Sequence, residues 1–316
     1  MQATLIYNEN AGNRSNLSLE ALQDGLGQAG YAPVYKATNH EDDLDAILER
    51  PEGLIVSAGG DGTARAVMMR LIGKDAPLAI VPMGTANNIA ASLGISADPL
   101  AVVTGLAQPR EFPFDIGQIH APWGKDYFLE GAGFGFFADI LATYDPEKGK
   151  SILRSMQAIT NTLLRGHAYE NCVRLAGKDE CGEFLLVEVL NTTAVGPRLK
   201  FAPNASPGDG LLDLVCIRAS DREGFLTYLA SMVLEDLERL ETVTVRPATE
   251  LTFTWRGFPF HVDGEVRPPY FREQHLLEEA EFGARPYLPQ AEAGPISINV
   301  LPGAVTLWLP SLKDEK

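Results

Sequence analysis

The amino-acid sequence predicts a two-domain protein, a doubly wound parallel α/β half followed by a mostly-β half. Three observations carry this. The first hundred or so residues alternate strand and helix patterns. Two strand–turn–helix units within them hold glycine-rich polar turns. After Pro109 the pattern changes to short strands split by Gly, Pro and Asp turns.

Taken in order, residues 4–7 form an apolar strand and 8–15 a polar loop. Residues 17–29 place Leu19, Leu22 and Leu26 on one helical face. A strand at 31–36 and a helix at 44–50, stopped by Pro51, come next. Residues 54–58 make a buried strand, followed by Gly59-Gly60-Asp61-Gly62-Thr63 and a helix start. The pattern repeats as strand 78–81, turn Pro82-Met83-Gly84-Thr85 and a helix from Ala86 carrying Asn87 and Asn88. A helix near 99–107 closes this half. Strands are then expected at 114–119, 127–130, 171–175, 184–190, 211–217, 242–246, 251–255 and 260–262, with helices only at 152–165 and 223–240. The polar, proline-bounded stretch 268–295 reads as a surface excursion before two last strands, 296–301 and 304–309.

At 316 residues the chain suits two domains, and 45% hydrophobic with 22% charged residues is globular composition. A net charge of −16, from 42 acidic against 26 basic residues, argues against nucleic acid as a partner. It also gives no global attraction to anionic lipid, so contact with a membrane needs a local basic patch. Residues 148–165 supply one candidate, with Lys148, Lys150, Arg154 and Arg165 beside an apolar helical pattern; a core helix with solvated ends is the blander reading. Cys172, Cys181 and Cys216 form no CxxC pair and no disulfide framework, which points to a reducing compartment. The opening residues read as a strand and not as a signal peptide. No apolar run reaches the roughly 18–20 residues of a membrane-spanning helix.

The two turns carry the chemistry. Glycines let backbone N–H groups approach phosphate oxygens, and a helix start adds donors and partial positive charge. Asp61 can hold Mg²⁺. Both turns fall at the carboxyl edge of one parallel sheet, where open α/β sheets bind ligands. Two other matches are discounted. Gly149-Lys150-Ser151 ends like a Walker A loop but has Tyr144 where the glycine belongs. Gly133-Phe134-Gly135-Phe136-Phe137-Ala138 fits a dinucleotide fingerprint but lies after the βαβ half.

Together these residues resemble the diacylglycerol kinase catalytic-domain family, which includes bacterial lipid kinases and sphingosine kinases. The motifs run in order over nearly the whole chain: Asn8-Glu9-Asn10-Ala11-Gly12, Gly59–Thr63, Pro82–Asn88, Gly131–Gly135, Ala202-Pro203 with Asp209-Gly210-Leu211-Leu212-Asp213, Val262-Asp263-Gly264-Glu265, and Leu301-Pro302-Gly303-Ala304. The resemblance implies an N-terminal Rossmann-like nucleotide domain over 1–112 and a C-terminal β-sandwich acceptor domain over 113–301. It further implies an active site where the two meet, and closing strands at 302–312 that return to the first domain. Four positions depart from the family pattern: Glu9 replaces a usual Pro, Arg65 and Ala66 stand for Asn and Glu, and Asn88 for a frequent Asp.

The resemblance also implies ATP and Mg²⁺ as cofactors and a lipid hydroxyl, most simply that of diacylglycerol, as acceptor. A sphingoid base, NAD, or binding without turnover are the alternatives. Asn8, Asn10, Gly12, Gly59, Gly60, Gly62, Thr63, Gly84, Thr85 and Asn87 would contact the nucleotide. Asp61 would ligate Mg²⁺ or aid proton removal, Asp263 would be the base, Glu265 its helper, and Asp209 would hold a structural Mg²⁺. The expected setting is cytoplasmic, peripheral to a membrane, with a homodimer as an open expectation.

Overall fold

The structure is a computed structural model that describes residues 1–7, 17–38, 43–143, 167–195, 200–233, 244–268 and 293–311. The chain divides into two compact units. The first holds Met1–Ile116, Ser206–Gly210 and Leu301–Lys316, and the second Gly117–Ala205 and Leu211–Val300.

The first unit is built on a parallel sheet of β1 (Gln2–Tyr7), β2 (Ala32–Lys36), β3 (Leu54–Gly59) and β4 (Leu78–Pro82). β2 pairs β1, β1 pairs β3, and β3 pairs β4, all parallel. β3 and β4 are buried along their whole length, as continuous apolar runs are when helices cover both faces. Helix α1 (Leu19–Gln28) starts at Ser18, whose hydroxyl accepts from the Ala21 N–H at 3.3 Å, and buries Leu22 and Leu26. Helices α2 (Asp43–Ile47), α3 (Asp61–Leu71), α4 (Asn88–Ser92) and α5 (Pro99–Gly105) follow. α5 starts on Asp98, with Pro99 at its first position. The strand order turns one way from β1 to β2 and the other way from β3 to β4. The switch point therefore lies between β1 and β3, and β3 ends in Gly59.

The second unit is antiparallel. β5 (Arg110–Ala121) enters it and pairs β6 (Gly124–Phe128). β7 (Gly131–Gly135) leads into α6 (Phe136–Thr143). Then come β8 (Tyr169–Leu175), β9 (Lys178–Leu190), β10 (Leu212–Arg218), α7 (Arg222–Val233), β11 (Thr244–Ala248), β12 (Glu250–Trp255), β13 (Phe260–Val262) and β14 (Glu265–Arg267). β9 is the hub, pairing β7, β8 and β10. Its side chains feed two cores, with the alternation shifted at Leu185 by a bulge opposite Ile217 and Arg218. Phe184, Val187 and Val189 join Phe134, Trp255 and Phe260, while Leu185, Leu186 and Leu190 join Phe136, Phe201 and Phe225. Trp255 is buried with its indole N–H given to the Phe258 carbonyl at 2.7 Å.

Several expectations change. The two closing strands are one, β15 (Gly294–Leu309), which pairs β12 antiparallel at its start and reaches β4 in parallel at Leu307. α3 begins at Asp61, inside the glycine motif, and α4 begins at Asn88 with Asn87 outside it. β7, α6 and β14 went unread. The cysteine reading is corrected. Cys172 and Cys181 form a disulfide, being opposed residues of β8 and β9. Their separation matches no sequence motif because hairpin length sets it, and the argument for a reducing compartment falls with it. The expected helix at 152–165, with its basic patch, lies outside the described residues, as does most of the 268–295 excursion. No helix among the described residues is long and apolar enough to cross a membrane.

Candidate functional site

In the first unit the two predicted turns meet. A Cβ on Gly84 would stand 2.6 Å from the Gly60 Cα, and one on Gly60 would be 3.2 Å from the Gly84 Cα. The turns thus pack backbone against backbone, which only glycine permits. Gly59 is forced too, because a Cβ there would lie 2.5 Å from the Thr63 hydroxyl oxygen. Gly62 differs. It is exposed, and among the described residues a Cβ there would meet nothing within 4 Å.

α3 begins on Gly60, a glycine N-cap with no side chain of its own to bond the first N–H groups of the helix. Asp61 sits in this first turn. Its Oδ1 accepts the Ile89 N–H at 3.3 Å, tying α3 to α4. Asn87 braces the second turn. Its φ is +50°, its Oδ1 accepts the Gly84 N–H at 2.9 Å, and its Nδ2 donates to the Gly84 carbonyl at 2.9 Å. The amide closes the turn on itself and leaves Thr85 exposed at its tip. Asn8, Asn10 and Gly12 lie outside the described residues. Asn88 is buried.

In the second unit Asp263 and Glu265 flank the β13–β14 turn. Asp263 has φ +48°. Its Oδ1 accepts N–H groups of Leu129, Glu130 and Gly131 at 3.1, 2.9 and 3.2 Å, and its Oδ2 accepts Leu129 at 3.0 Å. Asn191 holds the same segment from its carbonyl side, donating to Leu129 O at 2.9 Å. Glu265 is paired with Arg267 at 2.9 Å, and Arg267 also binds Asp126 at 2.6 Å.

The comparisons bear on this geometry. The family model for the diacylglycerol kinase catalytic domain matches residues 2–119, and the YegS C-terminal NAD kinase beta sandwich-like domain matches 149–280. The chain is 32% identical over 254 residues to a diacylglycerol kinase of Bacillus subtilis, covering 74% of this chain and 78% of that one. The chain belongs to the diacylglycerol kinase family of lipid kinases. A protein of Stenotrophomonas maltophilia named probable lipid kinase YegS-like is 28% identical over 249 residues, covering 75% of this chain and 79% of that one. A solved diacylglycerol kinase from Bacillus anthracis matches the fold with a TM-score of 0.67 at 18% identity, covering 99% and 98% of the two chains. An α/β nucleotide-type domain followed by a β-sandwich is therefore the architecture of the family.

A phosphate-bearing ligand would bring Mg²⁺ with it, and the donors present can be weighed against what that ion needs. Among the described residues no three His, Cys, Asp or Glu side chains gather to form a cage. Mg²⁺ needs none, since it is commonly held by one or two carboxylates with substrate phosphates and water. Asp61 in the first turn of α3 offers one such carboxylate. Asp209 is exposed on the Ser206–Gly210 segment. That segment is fixed by Asp115, which the sequence reading missed. Asp115 is buried and donates its N–H to Pro207 O at 2.7 Å. Its carboxylate accepts from Gly210 at 2.7 Å and Gly303 at 2.8 Å. The available signal was an acid inside the apolar run Phe114-Asp115-Ile116.

Proposed function

We propose that this protein transfers the γ-phosphoryl group of ATP, with Mg²⁺, to a lipid hydroxyl, most simply that of diacylglycerol. The observation that carries the reading is the Gly60–Gly84 backbone contact at the start of α3, with Gly62 exposed beside it. Its backbone donors and helix dipole suit the β- and γ-phosphates. Thr63 and Thr85 add hydroxyls, and Asn87 keeps the second turn in shape. Mg²⁺, held by Asp61 and the phosphates, would neutralise charge on the transferred group. Asp263 takes the acceptor proton through Oδ2, with Oδ1 fixed by its three backbone donors. The acceptor oxygen then bonds to the γ-phosphorus as the bond to the bridging oxygen breaks and ADP leaves. The named activity of the Bacillus subtilis relative supports diacylglycerol as acceptor.

A second reading, a nucleotide binder without turnover, has one observation behind it. Both acids of the Asp263–Glu265 turn already have protein partners. One experiment separates the two. Labelled γ-phosphate from ATP and Mg²⁺ is followed into a lipid extract in mixed micelles, with wild type beside Asp61→Ala and Asp263→Ala. A labelled lipid that disappears in both variants supports the kinase and names its acceptor. ATP binding with no labelled lipid supports the binder.

A further inference from the structure

His261 and Glu188 are fully buried, and the mechanism above uses neither. His261 lies on β13 and Glu188 on β9, with β7 between them. The registers set His261 opposite Gly133, and Gly133 opposite Glu188. Neighbouring strands lie about 4.8 Å apart, so the two side chains must reach over roughly twice that spacing. They meet above Gly133, with the His261 Nε2 at 2.8 and 3.0 Å from the two Glu188 oxygens. A Cβ on Gly133 would stand 2.7 Å from Glu188 Oε2 and 2.2 Å from the Val187 carbonyl oxygen. The bare middle strand is what allows the flanking side chains to join.

The other ring nitrogen faces the Asp263–Glu265 turn. Gly264 gives its N–H to His261 Nδ1 at 3.4 Å. Nδ1 accepts only when it carries no proton, so the ring proton sits on Nε2 and points at Glu188. Glu188 thereby selects the tautomer that can receive Gly264. The turn needs such help, since Asp263 at φ +48° is a non-glycine residue in left-handed backbone. A buried polar pair is also a costly way to fill space, and apolar residues of similar volume often replace one without loss of stability.

We propose that Glu188 and His261 are positioning residues for the Asp263-Gly264-Glu265 turn. Glu188 sets the His261 tautomer, and His261 holds the Gly264 amide so that the Asp263 carboxylate keeps its orientation. The proposal rests on the reading of Asp263 as the group that meets the acceptor.

The test compares Glu188→Gln with the apolar double variant Glu188→Leu/His261→Phe. Tm, kcat, KM for ATP and amide exchange at Gly264 are measured on each. The double variant should fold with Tm near wild type, lose kcat about tenfold or more, and expose Gly264 to faster exchange. Its KM for ATP should hold within about twofold. Glu188→Gln keeps an acceptor for Nε2 and should recover most of kcat. In an Asp263→Asn background the double variant should cause no further loss of kcat. A folded double variant with wild-type kcat overturns the proposal, as does an equal further loss in that background. Unchanged Gly264 exchange overturns it whatever the activity. The exchange readout needs no turnover, so a wild type that transfers no phosphate would count against the kinase reading alone, while exchange still decides whether the pair holds the turn.

Discussion

The two polar turns of this chain are built in opposite ways. In the first unit the Gly60 and Gly84 turns touch through bare backbone, and α3 starts on a glycine. In the second unit the side chains are paired within the protein. Asp263 is bound to three N–H groups, Glu265 to Arg267, and His261 to Glu188. Bare backbone suits close approach of a ligand that brings its own charge, whereas paired carboxylates suit a fixed shape. Two aspartates beside glycine, Asp61 and Asp263, therefore differ in character despite similar local sequence.

The largest expected effect tests whether Asp263 does more than hold shape. Asp263→Asn keeps one oxygen for the backbone donors and removes the base. Loss of kcat by about 10²–10⁴, with Tm little changed, is expected from general-base catalysis. Retention of activity within about tenfold would make Asp263 a backbone anchor and erase half of the contrast.

Gly84→Ala attacks the other turn. Its Cβ meets the Gly60 backbone at 2.6 Å, where no flexible side chain can give way. Overpacking of this kind costs about 1–3 kcal/mol, and ATP affinity by calorimetry should fall with it. Unchanged affinity would mean that the contact between the turns does not shape the phosphate site.

Gly62→Ala is a gentler and sharper test. Nothing among the described residues opposes the methyl group, and alanine in a helix is favoured over glycine by up to about 1 kcal/mol. The variant should be as stable as wild type or more so, yet bind ATP about tenfold more weakly. Higher stability with unaltered ATP affinity would remove Gly62 from the site.

What could be read in the sequence divides along the same line. The first unit was legible because its information is local. Glycine spacing, apolar runs and helix starts follow one another along the chain, and β3 leads straight into Gly60 and α3. The pairing of Asn87 with Gly84 was not legible, because Gly84 uses only backbone, which side-chain patterns do not report. The second unit was legible as strands, yet its polar contacts join residues far apart in sequence. Asp263 meets Leu129–Gly131, His261 meets Glu188, and Cys172 meets Cys181 through registers that no local pattern states. Buried charges did leave a trace. Asp115 and Glu188 each interrupt an apolar run, and an acid on a buried strand demands a partner.

Cys216 on β10 provides an effect confined to the second unit and to alkaline pH. Burial pushes its thiol up to about 11, against a partial pull downward from Arg246. The charged form is the thiolate, so burial disfavours ionisation in the folded chain. The unfolded chain ionises near the ordinary thiol value. Below that value both states keep the proton and stability is undiminished. As pH rises towards about 11 the unfolded state releases its proton first, and the fold loses stability. The loss is about 1.4 kcal/mol per pH unit, or roughly 2–3 kcal/mol across the interval. Urea denaturation of wild type and Cys216→Ala at pH 8 and about pH 10.5 isolates it from other titrating groups, with wild type losing roughly 2 kcal/mol more than the variant. Parallel losses would mean that the thiol ionises in the folded chain as it does in water, and that this part of the second core admits solvent.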